Sequence, residues 1–123
     1  MEKRYLSELK VAEEFLEASE KNLNESLRTS ANRLYFAFEK AIISYLYFKN
    51  IRIPKNHQKI WELSAEMLGE EYYSLLRELY DLRVQADYGS MSVFADLSVK
   101  NVSEKMVKVR SLFNKIKKRI ENE

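Results

Sequence analysis

The segment from Ser30 to Phe48, SANRLYFAFEKAIISYLYF, constrains the fold more than any other part of this chain. Its apolar residues recur at steps of three and four, and further apolar residues fill the neighbouring rows, so most of the helix surface favours burial. At about 1.5 Å per residue the segment would span roughly 28 Å, close to the diameter of a small domain. The sequence therefore predicts a central helix that several other helices cover.

A few polar residues interrupt this predicted helix and mark a first candidate site. Asn32, Arg33, Glu39, Lys40 and Ser44 make the segment too polar to span a bilayer. Burying any of them without a partner would be unfavourable. Arg33 and Lys40 are seven residues apart and are predicted to lie on one side, with Asn32 and Glu39 beside them. This polar strip is the first place where we expect functional groups.

Length and composition indicate one all-α domain over residues 1–123. A chain of 123 residues is expected to build a single core, and 46% hydrophobic with 33% charged residues is typical of a globular protein. Two glycines and one proline favour long helices with short loops. The net charge of +2 is too small to indicate a nucleic-acid-binding protein by itself.

The same composition excludes several kinds of chemistry. Without cysteine the chain cannot form disulfides, use a catalytic thiolate or bind a metal through sulfur. The amino-terminal stretch MEKRYLSELK is charged and has no apolar core segment, so we predict a cytoplasmic protein and no membrane association.

Hydrophobic periodicity predicts an up-and-down bundle of four to five helices. The predicted helices cover residues 3–23, 30–48, 58–68, 71–87 and 103–121. Asn24 or Ser26 is expected to cap the second helix, and Gly69 to end the third. Between the last two helices we expect a loop over 89–98 that Phe94 and Leu97 pin to the core.

The fourth predicted helix carries one cation in its apolar face. Arg83 follows Leu79 and Leu82 at helical spacing, and its guanidinium cannot lose its charge. It therefore needs a carboxylate, backbone carbonyls or a phosphate as hydrogen-bond acceptor. Asp87 lies one turn later, so an i,i+4 ion pair is the structural alternative to a phosphate site.

His57 is the only histidine and stands just before the third predicted helix. A single histidine cannot form a multi-histidine metal site, and no Glu-x-x-His pair is present, so no metal and no cofactor are predicted. Acid–base catalysis and phosphate binding both remain open as roles of His57. The alternative is a helix cap or a surface group.

Two further patterns each allow a functional and a structural interpretation. The basic residues of the last helix either follow a phosphate backbone or form a solvated helix face. The aromatic residues of the central helix either stack on bases or belong to the core or a dimer interface.

Three segments, taken together, resemble the HEPN domains, small helical proteins that bind nucleotides or cleave RNA. Ser30-Ala31, Arg33 and Tyr35-Phe36-Ala37 are similar to that family's Ser-Ala, Arg and Tyr-Tyr-Ala stretch. Lys55-x-His57 resembles its Lys-x-His loop. The stretch from Arg83 to Tyr88 resembles the Arg-x-x-Ala-Asp-Tyr signature of one uncharacterised prokaryotic branch. The matches cover roughly residues 30–89.

The resemblance implies a bundle that forms a two-fold homodimer through its second and fourth helices, often encoded beside a small nucleotidyltransferase partner. In ribonuclease members, an arginine and a histidine four to six residues later form a composite site at the dimer cleft. Arg83 matches the arginine, but no histidine follows it. Asp87 and Tyr88 are poor substitutes, so the sequence leaves catalysis open.

We therefore expect a homodimeric HEPN-type protein that binds a nucleotide or RNA phosphate in its cleft, paired with a nucleotidyltransferase as in a toxin–antitoxin pair. Arg83 and Arg33 would hold the anion, Asp87 would orient Arg83, and Tyr35 or Tyr88 would stack or donate a hydrogen bond. The remaining predicted contacts are Asn32, Lys55 and His57. Arg83, Asp87 and Tyr88 would be the catalytic residues.

Two alternatives remain. In the first, the chain is a non-catalytic protein–protein interaction module in which Arg83 and Asp87 form a structural pair. In the second, it is a metal-independent endoribonuclease toxin with a non-standard site.

Overall fold

Residues 3–88 and 96–123 are described by the computed structural model, and within them the chain forms five α-helices and no strand. The all-α bundle that the sequence predicts is confirmed. The helices are α1 (Arg4–Asn22), α2 (Leu27–Phe48), α3 (His57–Met67), α4 (Glu70–Tyr88) and α5 (Val99–Asn122).

α2 is the central helix, as its apolar circumference predicts. It packs against α1, α4 and α5, while α3 packs mainly against α4. Tyr35, Phe38 and Tyr45 of α2 are among the largest completely buried side chains. Burial of apolar surface contributes about 25 cal/mol per Å², so these aromatic residues stabilise the core strongly.

The apolar faces predicted for α4 and α5 both lie in the core. In α4 these residues are Tyr72, Leu75, Leu76, Leu79, Leu82 and Ala86. In α5 they are Val102, Met106, Val109, Phe113, Ile116 and Ile120. Hydrophobic periodicity therefore predicts correctly which side of each helix faces inward.

α2 and α5 both begin directly after a capping serine. α2 starts at Leu27, after Ser26, which is one of the two caps predicted for it and whose side chain accepts a hydrogen bond from Thr29 N at 3.3 Å. α5 starts at Val99 rather than residue 103, because Ser98 accepts from Asn101 N at 3.1 Å. In both helices the capping side chain, and not the first apolar residue, sets the start.

Gly69 ends α3 as predicted. Its φ of 130° is reached readily only by glycine. Its N–H donates to Ser64 O and Ala65 O, both at 3.1 Å, and so satisfies carbonyl groups at the end of the helix. Further along, Leu97 packs against the core, while Phe94 lies outside the described residues.

The apolar surface of α2 and α4 is largely covered within one chain. Among the described residues the large exposed apolar side chains are Leu6, Tyr88, Val99 and Val107, and only Tyr88 belongs to α2 or α4. α1 and α5 contribute to this cover, because both pack against α2. A homodimer through α2 and α4 stays a prediction.

Candidate functional site

Arg83 projects from α4 toward α2 and lies among three aromatic rings. Its Cζ is 4.9 Å from the ring centre of Phe36, 5.6 Å from that of Tyr80 and 5.9 Å from that of Tyr35. The side chain is 24% exposed. The cation is thus held by ring faces, which attract it electrostatically, and one edge reaches solvent.

The nearest carboxylate does not fully satisfy Arg83. Asp87 Oδ2 lies 3.6 Å from Arg83 Nε, which is an ion-pair distance but too long for a hydrogen bond. Nε is buried and has no hydrogen-bond partner within the described ranges. The ion pair of the structural alternative is therefore present, yet it leaves a buried donor of the guanidinium unused.

A shallow depression lies beside this pair where α2 meets the end of α4. Asn32 Nδ2 lies 3.4 Å from each carboxylate oxygen of Asp87. Arg28 Nη1 donates to Ala86 O at 2.6 Å and so caps the carboxyl end of α4. We call this space, about 160 Å³, the Arg28 depression; its lining consists of Arg28, Thr29, Asn32, Arg33 and Asp87.

A buried carboxylate on the inner side of α2 organises a second group of side chains. Glu39 is 6% exposed and accepts a hydrogen bond from the Tyr35 hydroxyl. His57 Nδ1 lies 2.8 Å from the same oxygen, Glu39 Oε2. Trp61 Nε1 donates to the Tyr35 hydroxyl at 3.3 Å. Four polar atoms of this group thus have hydrogen-bond partners, as burial requires: the Tyr35 hydroxyl, Glu39 Oε2, His57 Nδ1 and Trp61 Nε1.

The outer edge of the His57 ring faces a second depression. This space, about 380 Å³, is called the His57 depression here and is lined by Lys55, Asn56, His57, Gln58, Trp61 and Tyr80. The His57 side chain is 43% exposed. His57 is neither a helix cap nor an isolated surface group, because Asn56 caps α3 through Lys59 N and His57 turns toward Glu39.

Tyr80 and Tyr35 connect the two depressions. The Tyr80 ring centre is 5.8 Å from the His57 ring centre and 5.6 Å from Arg83 Cζ. Tyr35 lies 5.9 Å from each of these groups. Arg83 and His57, which are far apart in sequence, therefore share two aromatic neighbours.

Tyr35 cannot stack on a ligand in this arrangement. Its side chain has no exposed surface, which contradicts the predicted direct contact. Burial first, and the neighbouring Glu39 charge second, raise the pKa of its hydroxyl well above the ordinary value of 10.0. Tyr35 therefore stays protonated and acts as a hydrogen-bond donor that orients Glu39.

The other predicted site residues divide between the two depressions. Asn32, Arg33 and Asp87 line the Arg28 depression, whereas Lys55 lines the His57 depression. Tyr88 is the last residue of α4 and is 70% exposed.

The polar strip predicted on α2 does not exist as one surface. Lys40 pairs with Glu8 of α1 at 3.0 Å, while Glu39 turns inward to His57. Asn32 and Glu39 face α4 and α3, where they contact Asp87 and His57. Arg33 and Lys40 face α1, where they contact Phe15 and Glu8.

Sequence reasoning did not assign a role to Arg28, Trp61 or Tyr80. Arg28 lies ahead of the apolar segment that begins at residue 30, so the apolar pattern indicates no role for it. Tyr80 and Trp61 have the helical spacing of ordinary core aromatic residues. Glu39 carried a usable signal, since a carboxylate in a helix that is apolar on most sides needs a partner.

Three basic residues of α5 pair with acidic side chains, namely Lys105, Arg110 and Arg119. Arg110 bonds to Glu13 at 3.0 Å and to Glu20 at 2.8 Å, and Lys105 pairs with Glu78 at 2.7 Å. This favours a solvated helix face over a phosphate-binding track. A wider groove, about 590 Å³, lies between α4 and α5 and contains none of the predicted site residues.

Residues 3–88 and 96–123 hold no group of three or more His, Asp or Glu side chains arranged to bind a metal ion. In the same ranges, no helix has the length and apolar character that a membrane span requires.

Comparison with known proteins gave one finding. A family model described as HEPN domain matches residues 6–121, nearly the whole chain. The searches of curated proteins and of solved structures gave no match.

Proposed function

Since this chain belongs to the HEPN domain family, we propose that it binds the phosphate group of a nucleotide or of RNA at Arg83. The family suggests a nucleotide- or RNA-related or toxin–antitoxin role, and its domains often act as dimers. In the proposal the protein is a homodimer with the two Arg83 side chains in one cleft. A small nucleotidyltransferase is its partner in a toxin–antitoxin-like pair.

The observation that carries the proposal is the unused donor of Arg83. A guanidinium that serves only as a strut is expected to bond its acceptors closely, because an unpaired buried donor costs about 1–3 kcal/mol. Here Nε has no hydrogen-bond partner in the described part of the chain, and the nearest carboxylate oxygen is 3.6 Å away. The missing partner of Nε shows that Asp87 does not satisfy the cation. A phosphate at the exposed edge of the guanidinium would accept hydrogen bonds from its Nη groups, while buried Nε stays beside Asp87.

The surroundings of Arg83 support an anionic ligand. Arg28 and Arg33 line the adjacent depression, so three guanidinium groups lie near its single carboxylate, Asp87. The three rings around Arg83 hold the guanidinium in one orientation, which lowers the entropy lost on binding.

Binding of a short RNA and of adenosine monophosphate to single-site variants tests this proposal. Arg83→Ala is expected to weaken binding by about 10- to 100-fold, because it removes charge-assisted hydrogen bonds. Arg83→Lys should recover only part of the loss, since lysine keeps the charge without the planar fork. The matched control is Arg77→Ala, which removes an exposed arginine from the same helix. Equal affinities of wild type and a folded Arg83→Ala variant would exclude Arg83 as the anion-binding residue.

The ion pair with Asp87 favours a second candidate function, a protein–protein interaction module without a ligand. In that case Arg83→Ala lowers the melting temperature and weakens the dimer, and no ligand is lost. Calorimetric titration and thermal unfolding of the same variant separate the two functions.

Ribonuclease activity remains the third candidate. The family histidine after Arg83 is absent, Asp87 contacts Arg83 and Asn32, and His57 shares two aromatic neighbours with Arg83. Incubation of RNA with the wild type and with Arg83→Ala, in the presence of a metal chelator, tests for cleavage directly. The proposed partnership predicts a nucleotidyltransferase reading frame beside the gene and co-purification of the two products.

A further inference from the structure

The hydrogen bonds around Glu39 determine which His57 nitrogen carries the proton. An ionised carboxylate only accepts hydrogen bonds. The Tyr35 hydroxyl has one proton and donates it to Glu39, while its oxygen accepts from Trp61 Nε1. His57 Nδ1 lies 2.8 Å from Glu39 Oε2 and 3.2 Å from the Tyr35 hydroxyl oxygen. Because the hydroxyl proton goes to Glu39, both contacts need an Nδ1–H group as the donor.

This assignment leaves the outer nitrogen of neutral His57 as an acceptor. When Nδ1 is protonated, Nε2 of the neutral imidazole has a lone pair and no hydrogen. Nε2 makes no hydrogen bond to any residue in 3–88 or 96–123, and the ring is 43% exposed beside the His57 depression. The protein thus presents one oriented acceptor to a ligand.

We propose that Glu39 and Tyr35 fix His57 as an acceptor for the 2′-hydroxyl group of a ribose, so that the site distinguishes RNA from DNA. This inference rests on the proposed function, because Arg83 must first hold a phosphate of the same strand. Glu39 and Tyr35 are positioning residues, and His57 is the residue that contacts the ligand.

The chemistry of the ligand selects the sugar hydroxyl as the partner of Nε2. Phosphate oxygens only accept hydrogen bonds, so they do not bond to an acceptor nitrogen. Within an RNA strand the 3′ and 5′ oxygens are esterified, and the 2′-hydroxyl is the sugar donor that DNA lacks. Base amino groups are also donors, but they are the same in both kinds of strand.

The geometry allows one strand to reach both groups. Arg83 Cζ and the His57 ring both lie beside Tyr80, at 5.6 and 5.8 Å from its ring centre. Lys55 also lines the His57 depression and adds a positive charge near a neighbouring phosphate. A strand that contacts both Arg83 and His57 would therefore pass Tyr80.

The first test is the protonation of His57 itself, without ligand. His57 is the only histidine, so its two ring nitrogens give unambiguous ¹⁵N signals in nuclear magnetic resonance spectra. We expect the neutral ring to be protonated at Nδ1. In Glu39→Gln the amide can donate to Nδ1, so the proton should move to Nε2. A neutral wild-type ring protonated at Nε2 would overturn the inference whether or not the protein binds RNA.

The second test compares three hexanucleotides with the same base sequence as RNA, DNA and 2′-O-methyl RNA. Wild type is expected to bind RNA about fivefold more tightly than either of the others, the contribution of about one net hydrogen bond. The 2′-O-methyl strand keeps the 2′ oxygen but lacks the hydroxyl hydrogen that would be donated to Nε2. His57→Ala should bind all three strands alike, and Glu39→Gln should lose the preference for RNA over the 2′-O-methyl strand. Glu62→Gln, the same change at an exposed position of α3, is the control.

The outcomes separate this inference from the proposed function. If Arg83→Ala weakens binding but wild type binds all three strands equally, Arg83 binds phosphate and the role of His57 is disproved. If His57→Ala weakens all three strands by the same factor, His57 contacts a base rather than the sugar, which also disproves it. If wild type binds none of the strands, the RNA form of the proposed function fails and the inference fails with it.

Discussion

The Tyr35 hydroxyl connects side chains from α2 and α3 in the core. It donates to Glu39 and accepts from Trp61, and both of these partners are buried. A single oxygen atom therefore satisfies a buried carboxylate and a buried indole N–H. Removing it leaves two buried polar groups with fewer partners, which costs more than the loss of one exposed hydrogen bond.

We predict that Tyr35→Phe lowers the free energy of unfolding by about 2–3 kcal/mol at neutral pH. The fluorescence of Trp61, the only tryptophan, reports unfolding in urea. The control is Tyr73→Phe, whose hydroxyl accepts from Gln58 at the surface and whose removal should change stability by about 0.5 kcal/mol or less. Equal losses in the two variants would contradict the central role of the Tyr35 hydroxyl.

The same variant has a predicted pH dependence. Burial and Glu39 raise the pKa of Tyr35 in the folded protein above the value of 10.0 expected when it is unfolded. Above that pH the unfolded chain releases a proton that the folded chain retains, so the stabilising contribution of Tyr35 falls. The difference in unfolding free energy between wild type and Tyr35→Phe should therefore be constant below the unfolded pKa and shrink above it. Urea titrations on both sides of that pH measure this, and a constant difference throughout would disprove it.

Single residues also differ in how well the sequence predicts their role. Arg83 was identified because a cation in an apolar helical face is visible in the periodicity. Glu39 was visible only as a polar residue that needed a partner. Its partner His57 is 18 residues away, and no local pattern indicates which way the loop before α3 turns its side chain. Long-range pairing of this kind depends on the packing of α3 against α4, which periodicity does not give.

At the scale of helices, α1 and α2 contact each other at two buried serines. Ser19 Oγ donates to Ser30 O at 2.7 Å, and Ser30 Oγ donates to Ser19 O at 2.8 Å. Both residues are completely buried, and their small side chains let the two backbones approach closely. Ser30 of the family-like Ser-Ala pair is thus a packing residue and not part of the candidate site.

We predict that Ser30→Ala destabilises the protein by about 1 kcal/mol through the lost hydrogen bond. Ser30→Val should cost about 1–3 kcal/mol more, because its methyl groups force the helices apart. Urea denaturation measures both values. The same two changes at Ser74, on the exposed face of α4, serve as controls and should stay within about 0.5 kcal/mol of wild type. A Ser30→Val variant as stable as wild type would show that the crossing is not closely packed.

The junction of α3 and α4 gives a separate prediction at Gly69. A Cβ atom there would meet no heavy atom within 4 Å, so any cost of Gly69→Ala comes from the backbone φ of 130° alone. We expect a loss of about 1–3 kcal/mol in the free energy of unfolding, the usual cost of such a conformation for a residue with a side chain. Chemical denaturation of Gly69→Ala, beside Glu70→Ala as control, tests this. Unchanged stability would mean that the turn adopts another conformation.

Helix positions and inward faces could be predicted from the sequence, whereas helix starts could be predicted only in part. The apolar faces of α4 and α5 follow directly from three- and four-residue spacing. The starts of α2 and α5 depend on whether Ser26 and Ser98 bond to the third backbone N–H that follows. Several serines and asparagines near each helix could serve as caps, so the sequence does not select among them. Arg28 lies in the first turn of α2, ahead of the apolar segment that begins at residue 30, so the periodicity does not indicate a role for it.

The described residues of the molecule expose little apolar surface, and this limits where a dimer interface can lie. The leucines of α4 are buried within one chain, so hydrophobic surface does not by itself require a partner. What remains at the candidate site is Tyr88, 70% exposed at the end of α4, next to the pair of Arg83 and Asp87. A two-fold axis near this end would bring two Arg83 side chains into one cleft and cover both Tyr88 rings.

We therefore predict that wild type sediments as a dimer and that Tyr88→Glu shifts it toward monomer, because two carboxylates would be forced together in an apolar contact. Sedimentation velocity from about 1 to 100 μM measures the association constant. Val107→Glu is the matched control, since Val107 is 68% exposed but lies on α5, away from the candidate site. It should leave the dimer intact. A monomeric wild type at every concentration would exclude a shared cleft, and a dimer disrupted by Val107→Glu but not by Tyr88→Glu would move the interface to α5. In either case phosphate binding at Arg83 would have to occur within one chain.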